Sequence, residues 1–312
     1  MKLTLKLPDT FFDEEKRSIV ISSDTKRLWA VQLDLLVEFD RVCRECGIKY
    51  SLDAGTLLGA IRHGGFIPWD DDVDVVMLRE EFEKLNAIGS AKFCEPYFWQ
   101  TIMTDPEHGR GFARLRNSST TYILHSEQNG RAPCFSHNQG VFIDVFIADA
   151  VPDGENERNK FMDEIFAVQV KASVIRNQRV NTRILKTLVT PWLLWRKMRY
   201  LFFYKLLRFD VVCSLRRKID HMAQKYNAFD CQCVSRLTFT ADRNSRLAAC
   251  VPKMFLRELT TVEFEGRKFF ATKHWDEYLK VYYGNWHNNV IAHDPSGDAF
   301  IDLDNSYTKY IQ

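Results

Sequence analysis

The stretch Trp69-Asp70-Asp71-Asp72-Val73-Asp74-Val75-Val76-Met77 decides how this 312-residue chain is read. Its valines give it strand character, and the pattern predicts a strand over Asp72 to Met77. Side chains alternate faces along a strand, so Asp72 and Asp74 should point one way while Val73 and Val75 point the other. By that repeat the two carboxylates stand within roughly 7 Å of each other, where they repel unless a cation lies between them. Hard oxygen ligands at this spacing suit Mg²⁺ or Mn²⁺. The alternative, a solvated acidic turn, is opposed by the valines that follow. Asp70 is a further candidate ligand if the strand reaches it. Asp71 is expected to point away and serve the structure.

Upstream, Asp53-Ala54-Gly55-Thr56-Leu57-Leu58-Gly59 follows a predicted strand, Ile48 to Asp53, and opens a short helix through Ile61. Glycine lets a phosphate approach the backbone, and the helix start offers free N–H groups and a positive dipole end. Gly55 and Thr56 are therefore candidate phosphate-binding residues. A longer helix precedes them: Ser22-Ser23-Asp24-Thr25 offers N-caps, and Leu28, Val31, Leu35, Phe39, Val42 and Cys46 form an amphipathic stripe ended by Gly47. Downstream, a helix is expected over Glu80 to Ile88, and strands over Phe112 to Arg116 and Val141 to Phe146. Pro152-Asp153-Gly154 supplies the turn after the last of these. The alternation predicts an α/β (α+β) core, a mixed sheet flanked by helices.

Asp144 lies inside the apolar run Val141-Phe142-Ile143-Asp144-Val145-Phe146. A buried carboxylate there needs a partner, a set of backbone donors or a metal. With Asp72 and Asp74 it makes the arrangement a two-metal phosphoryl-transfer site requires, so all three are candidate catalytic and metal-binding residues. Arg62 and His63 could steady donor phosphates or simply close a helix C-terminus. Arg114 and Arg116 share a strand face and could clamp a diphosphate. Cys43 and Cys46 sit on an apolar helix stripe, which favours packing over a zinc half-site completed by Cys231 and Cys233. Trp275, Tyr278 and Tyr282 recur at helix spacing and are read as core.

Composition narrows the function classes. Lys+Arg 43 against Asp+Glu 41 gives +2, which predicts no dedicated nucleic-acid partner. The first residues, MKLTLKLPDTFFDEEKRS, lack the apolar core of an export signal, and eight cysteines suit a reduced, cytoplasmic protein. No run is apolar enough to span a membrane. From Glu155 to Phe229 the chain turns helical and basic, with twelve Lys/Arg between Arg176 and Asp220 opposed by Asp210 and Asp220 alone. One catalytic domain over 1–312 is expected, with a core at 20–154, a basic helical insertion at 155–233 and a closing segment at 234–312. Within the insertion, Thr190 to Val212 interleaves Trp, Tyr and Phe with Arg and Lys. That pattern suits peripheral contact with the inner face of a membrane, or a hairpin packed on the core.

The run Gly55-Thr56-Leu57-Leu58-Gly59, Arg62-His63, Gly65-Phe66-Ile67-Pro68-Trp69-Asp70-Asp71-Asp72 and Asp74 resembles the LicD family of phosphocholine transferases, which includes relatives of fukutin-related protein. Phe142-Ile143-Asp144-Val145-Phe146, Phe264-Glu265-Gly266 and Tyr283-Gly284 are similar too, whereas Asn285-Trp286-His287 departs from the family's proline-rich continuation. The resemblance implies a nucleotidyltransferase-type fold and a reaction moving a phosphorylated alcohol, typically phosphocholine, from a CDP-linked donor to a glycan or lipid-linked glycan hydroxyl, with CMP leaving. Asp72 and Asp74 would hold Mg²⁺ or Mn²⁺, and Asp144 would complete the site or act as base. The competing classes are nucleotidyl transfer from an NTP and a non-enzymatic membrane-surface module.

Overall fold

The computed structural model describes residues 3–12, 15–16, 19–124, 137–177, 211–239, 249–288 and 299–310. A short hairpin, β1 (Glu15–Lys16) and β2 (Ile19–Val20), leads into α1 (Ser23–Glu45), whose first turn is capped by the Ser22 side chain accepting from the Thr25 N–H. The predicted stripe is buried apart from the half-buried Cys46 at its end, and so are Trp29, Leu33 and Leu36, because α1 lies between the sheet and the acidic loop rather than at the surface. Then follow β3 (Ser51–Leu52), α2 (Ala54–His63), β4 (Asp74–Leu78), α3 (Arg79–Lys92), β5 (Tyr97–Gln100), β6 (Ala113–Asn117), β7 (Thr121–Leu124) and β8 (Val141–Val151). The chain continues through β9 (Cys233–Ser235), β10 (Val251–Pro252), β11 (Leu259–Phe264), β12 (Arg267–Thr272), the helix Trp275–Tyr283 and β13 (Ala299–Asp302).

The main sheet runs β10-β9-β8-β4-β3, with β6 also on β8 and β5 on β6. β4 and β8 are parallel while the other pairs are antiparallel, so the sheet is mixed, as expected, and helices flank it. β8 is buried over its whole length. That explains its near-continuous apolar sequence, since a central strand covered on both faces has no solvent side to mark with polar residues. β11 and β12 form a separate hairpin, and β13 pairs with β7.

Three expected strands differ in extent. The first shrinks to Ser51–Leu52, and the last runs on to Val151. The acidic strand begins at Asp74, so Asp72 lies in the loop before it. The cause is tertiary. The Trp29 Nε1 donates to the Asp70 carbonyl at 2.8 Å and the Gln32 Nε2 to the Asp71 carbonyl at 2.5 Å, so α1 holds the start of the loop, while the Val73 carbonyl accepts from the Asp144 N–H of β8 at 2.9 Å.

Within the expected insertion, the helix Glu155–Asn177 and a helix at 211–223 gather a second apolar cluster that includes Phe161, Ile165, Phe166, Ile219 and Val151 at the end of β8. Arg79 ties them to the core: its Nε and Nη2 grip Asp149 at 2.7 and 2.8 Å, and its Nη1 reaches Asp220 at 2.7 Å. Residues 178–210, which hold most of the aromatic and basic run considered for membrane contact, lie outside the described residues. Among the described residues no helix is long and apolar enough to cross a membrane.

Candidate active site

Strand register assembles the centre. Asp74 on β4 stands opposite Asp144 on β8, and Asp144 stands opposite Arg114 on β6. Directly paired residues share a sheet face, so the three side chains form one row across three strands. Arg114 closes its end of the row: its Nε donates to Asp144 Oδ1 at 2.6 Å, and its guanidinium carbon lies 3.5 Å from the Phe142 ring centre. Phe142 and Phe146, two residues either side of Asp144, share its face and wall the site.

Above the other end sits α2. Asp53 is its N-cap, accepting from the Ala54 N–H at 2.8 Å, and Ala54 adopts a left-handed φ of +43°. For a residue with a Cβ that conformation costs roughly 1–2 kcal/mol, held here by the cap. The Thr56 hydroxyl oxygen accepts from the Asp74 N–H at 2.8 Å. Thr56 therefore fixes the start of β4. Gly55 has a different close neighbour from the expected phosphate: a Cβ there would lie 2.3 Å from Asp70 Oδ2. Its missing side chain makes room for a carboxylate.

The acidic loop is electrostatically loaded. Burial pushes the Asp70 carboxyl up to about 6, opposed by a hydrogen bond from Asp72. Burial, then the charges of Asp74 and Asp70, raise Asp72 well above the usual carboxylate range. Asp74 is raised likewise by burial and then by Asp144 and Asp53, with Arg236 pulling the other way. Such a cluster favours either protons or a cation. Asp71 accepts from the Tyr122 hydroxyl at 3.0 Å, which fits the structural part expected of it.

The donor chemistry, all carboxylate oxygen, fits a hard divalent cation at Asp70, Asp72 and Asp74. Among the described residues, however, no three acidic, histidine or cysteine side chains converge at metal-ligand spacing. The expected third ligand, Asp144, is engaged by Arg114 through its Oδ1 at 2.6 Å.

The remaining candidates divide. Arg116 donates from Nε to Gln100 Oε1 at 2.5 Å and from Nη1 to the Gly140 carbonyl at 2.6 Å, so the structure does not bring it to the carboxylates alongside Arg114. Arg62 reaches the carbonyls of Trp286 and Asn288, each at 3.2 Å, which ties the C-terminus of α2 to the chain after the last helix. His63 meets Trp69 edge to face at 6.3 Å. Cys43 is fully buried in the core.

Sequence reasoning missed the third wall of the site. Arg236, just after β9, donates from Nη1 to Asp53 Oδ2 at 2.5 Å and lies 4.3 Å from the Tyr282 ring centre. The Tyr278 hydroxyl donates to Asp53 Oδ1 at 2.7 Å. Tyr278 and Tyr282 are in the core as expected, but they also hold the α2 cap. No local pattern marks Arg236, whereas the two tyrosines were visible only as a stripe.

The comparisons with known proteins agree with this geometry. The description "LicD/FKTN/FKRP, nucleotidyltransferase domain" matches residues 47–177, which span α2, the acidic loop, β4, β6 and β8. The chain is 27% identical over 256 residues to the lipopolysaccharide cholinephosphotransferase LicD of Haemophilus influenzae, covering 82% of this chain and 88% of that protein. It is 39% identical over 145 residues to an uncharacterised protein of Rickettsia prowazekii, covering 46% of this chain and 47% of that one. A 51-residue segment is 50% identical to the human ribitol 5-phosphate transferase FKRP, of which it covers 10%. Residues 47–177, which hold the acidic loop and the Asp74–Asp144 row, are thus similar to the nucleotidyltransferase domain of the LicD/FKTN/FKRP family.

Proposed function

We propose that this phosphotransferase moves a phosphorylated alcohol, phosphocholine first among the candidates, from a CDP-linked donor to a glycan hydroxyl. The row Asp74–Asp144–Arg114 beneath the N-terminus of α2 carries the proposal, supported by the likeness to LicD over most of the chain. The acceptor oxygen attacks the phosphorus that bears the alcohol. The bond from that phosphorus to the bridging oxygen of the diphosphate breaks, and CMP leaves with the electron pair. Asp144 takes the hydroxyl proton, while Arg114 stays beside it to balance charge.

Asp72 and Asp74, with Asp70 adjoining, would hold Mg²⁺ or Mn²⁺, which would neutralise charge on the transferred group. The protein's own part is geometric: α1 fixes the loop backbone, Thr56 fixes Asp74, and Asp53 fixes the start of α2. An acceptor carried on lipid would give the aromatic and basic run from Thr190 to Val212 a purpose at a membrane face. The test is CMP release from a panel of CDP-alcohols, with ATP and CTP alongside and with acceptor glycan present or absent. Release that requires a CDP-alcohol and glycan supports the proposal. Pyrophosphate release from ATP or CTP without CDP-alcohol turnover replaces it with nucleotidyl transfer.

A further inference from the structure

Arg236 is 2% exposed, yet it uses only part of its hydrogen-bonding capacity. Nη1 is committed to Asp53, and one face of the guanidinium rests on Tyr282, with Phe146 5.4 Å away. Among the described residues, Nε and Nη2 have no hydrogen-bond partner. These two nitrogens form one edge of the guanidinium plane, the fork that matches two oxygens of a phosphate or carboxylate. Leaving charged donors unmatched in a buried place is costly, and native proteins seldom do it without a functional reason. The ion pair with Asp53 accounts for the charge but not for the fork.

The surroundings indicate what the fork is for. Asp53, which Arg236 grips, donates its N–H to the Asp74 carbonyl at 3.0 Å, and the guanidinium lies 5.4 Å from the ring of Phe146, two residues from Asp144, so the fork belongs to the same site as the acidic loop. Tyr283, half-buried, is the last residue of the helix that carries Tyr278 and Tyr282, before Gly284 turns the chain with a φ of +65°. Burial and then the charges of Asp74, Asp53 and Asp70 push the Tyr283 phenol upward. A ligand beside Asp74 thus meets a buried cation with two unused donors.

We propose that the Nε–Nη2 edge of Arg236 is an anion-binding fork that takes oxygens of the donor's diphosphate beside Asp74. This rests on the phosphotransferase proposal above and assigns one phosphate contact within it. The edge is enclosed in this conformation, so the side chains around it move aside when the anion engages it. A carboxylate would fit the fork as well, but it would add to the negative loop without the divalent cation that a diphosphate brings with it.

Isothermal titration of wild type and Arg236→Lys with inorganic pyrophosphate, both in one Mg²⁺ buffer, tests this. Lysine keeps the charge beside Asp53 and loses the fork. Affinity should fall about ten- to hundred-fold in the variant, the range for losing a charge-assisted pair of hydrogen bonds. Unchanged affinity, or no binding by wild type, overturns the proposal. Should Arg236→Lys not fold, a wild-type crystal soaked in tungstate decides. Density within hydrogen-bond distance of Nε and Nη2 supports the fork, and density confined to other places overturns it. CDP-choline turnover is scored separately. Turnover with unchanged pyrophosphate affinity sinks the fork alone, and a lost affinity without CDP-alcohol turnover sinks the donor assignment alone.

Discussion

Replacing Asp70 by asparagine should stabilise the metal-stripped protein, by an amount that grows as pH rises from about 4 to about 6 and then stays constant. The Asp70 carboxyl rises from 3.8 to about 6, chiefly because it is buried against Gly55 and beside its acidic neighbours. A raised folded value means that stability is fully present below the unfolded value and is lost as pH climbs through the folded one. Every tenfold gain in proton affinity on folding is worth about 1.4 kcal/mol, so burial of the ionised carboxylate costs about 3 kcal/mol at pH 8 as an upper bound. Partial exposure of the side chain discounts this to about 1–2 kcal/mol. The amide has the carboxyl's shape, so it keeps the space that Gly55 leaves, and it can donate to Asp72. Melting curves of wild type and Asp70→Asn in metal-stripped buffer from pH 4 to pH 8 check the account. The curves should coincide near pH 4 and separate by roughly 2–6 °C at pH 8, the variant higher. Adding Mg²⁺ at pH 8 should raise wild type more than the variant, because the carboxylate then gains a partner. A gap that does not change with pH, or a variant less stable at pH 8, would refute the electrostatic account.

Other expectations can be checked with the same protein. Asp72→Asn and Asp74→Asn should each abolish turnover while metal-stripped melting temperatures hold or rise slightly; strong destabilisation of both would make the pair structural. Gly55→Ala should lower activity at least about ten-fold and cost about 1–3 kcal/mol, because its Cβ would sit 2.3 Å from Asp70 Oδ2; wild-type activity would mean that Asp70 is dispensable. Asp149→Ala should cost about 3–5 kcal/mol in urea unfolding, since it strips the buried Arg79 of two ion-pair contacts; a loss under about 1 kcal/mol would show that Asp220 suffices for Arg79.

Much of the fold could be read along the chain because its signals are local. The stripe and caps of α1, the Gly-Thr start of α2 and the apolar run of β8 each follow from short-range spacing. So does the family likeness, which rests on one nearly continuous run from Gly55 to Asp74. The strand ends were less legible. Where β4 begins depends on Trp29 and Gln32 taking carbonyls of the acidic loop, and those residues lie 41 and 39 positions away.

What the sequence by itself determined is therefore the chemistry on offer: clustered aspartates, a glycine-threonine helix start and a carboxylate inside a core strand. Tertiary structure alone decided how those groups are used. Strand register set Arg114 against Asp144, joining two candidate site residues in an ion pair. Folding also brought Arg236 and Tyr278 to Asp53 across 183 and 225 residues. No window of sequence holds both partners of such a contact. Their pairing is fixed by where buried charges can find a counter-charge, and that is a property of the packed molecule.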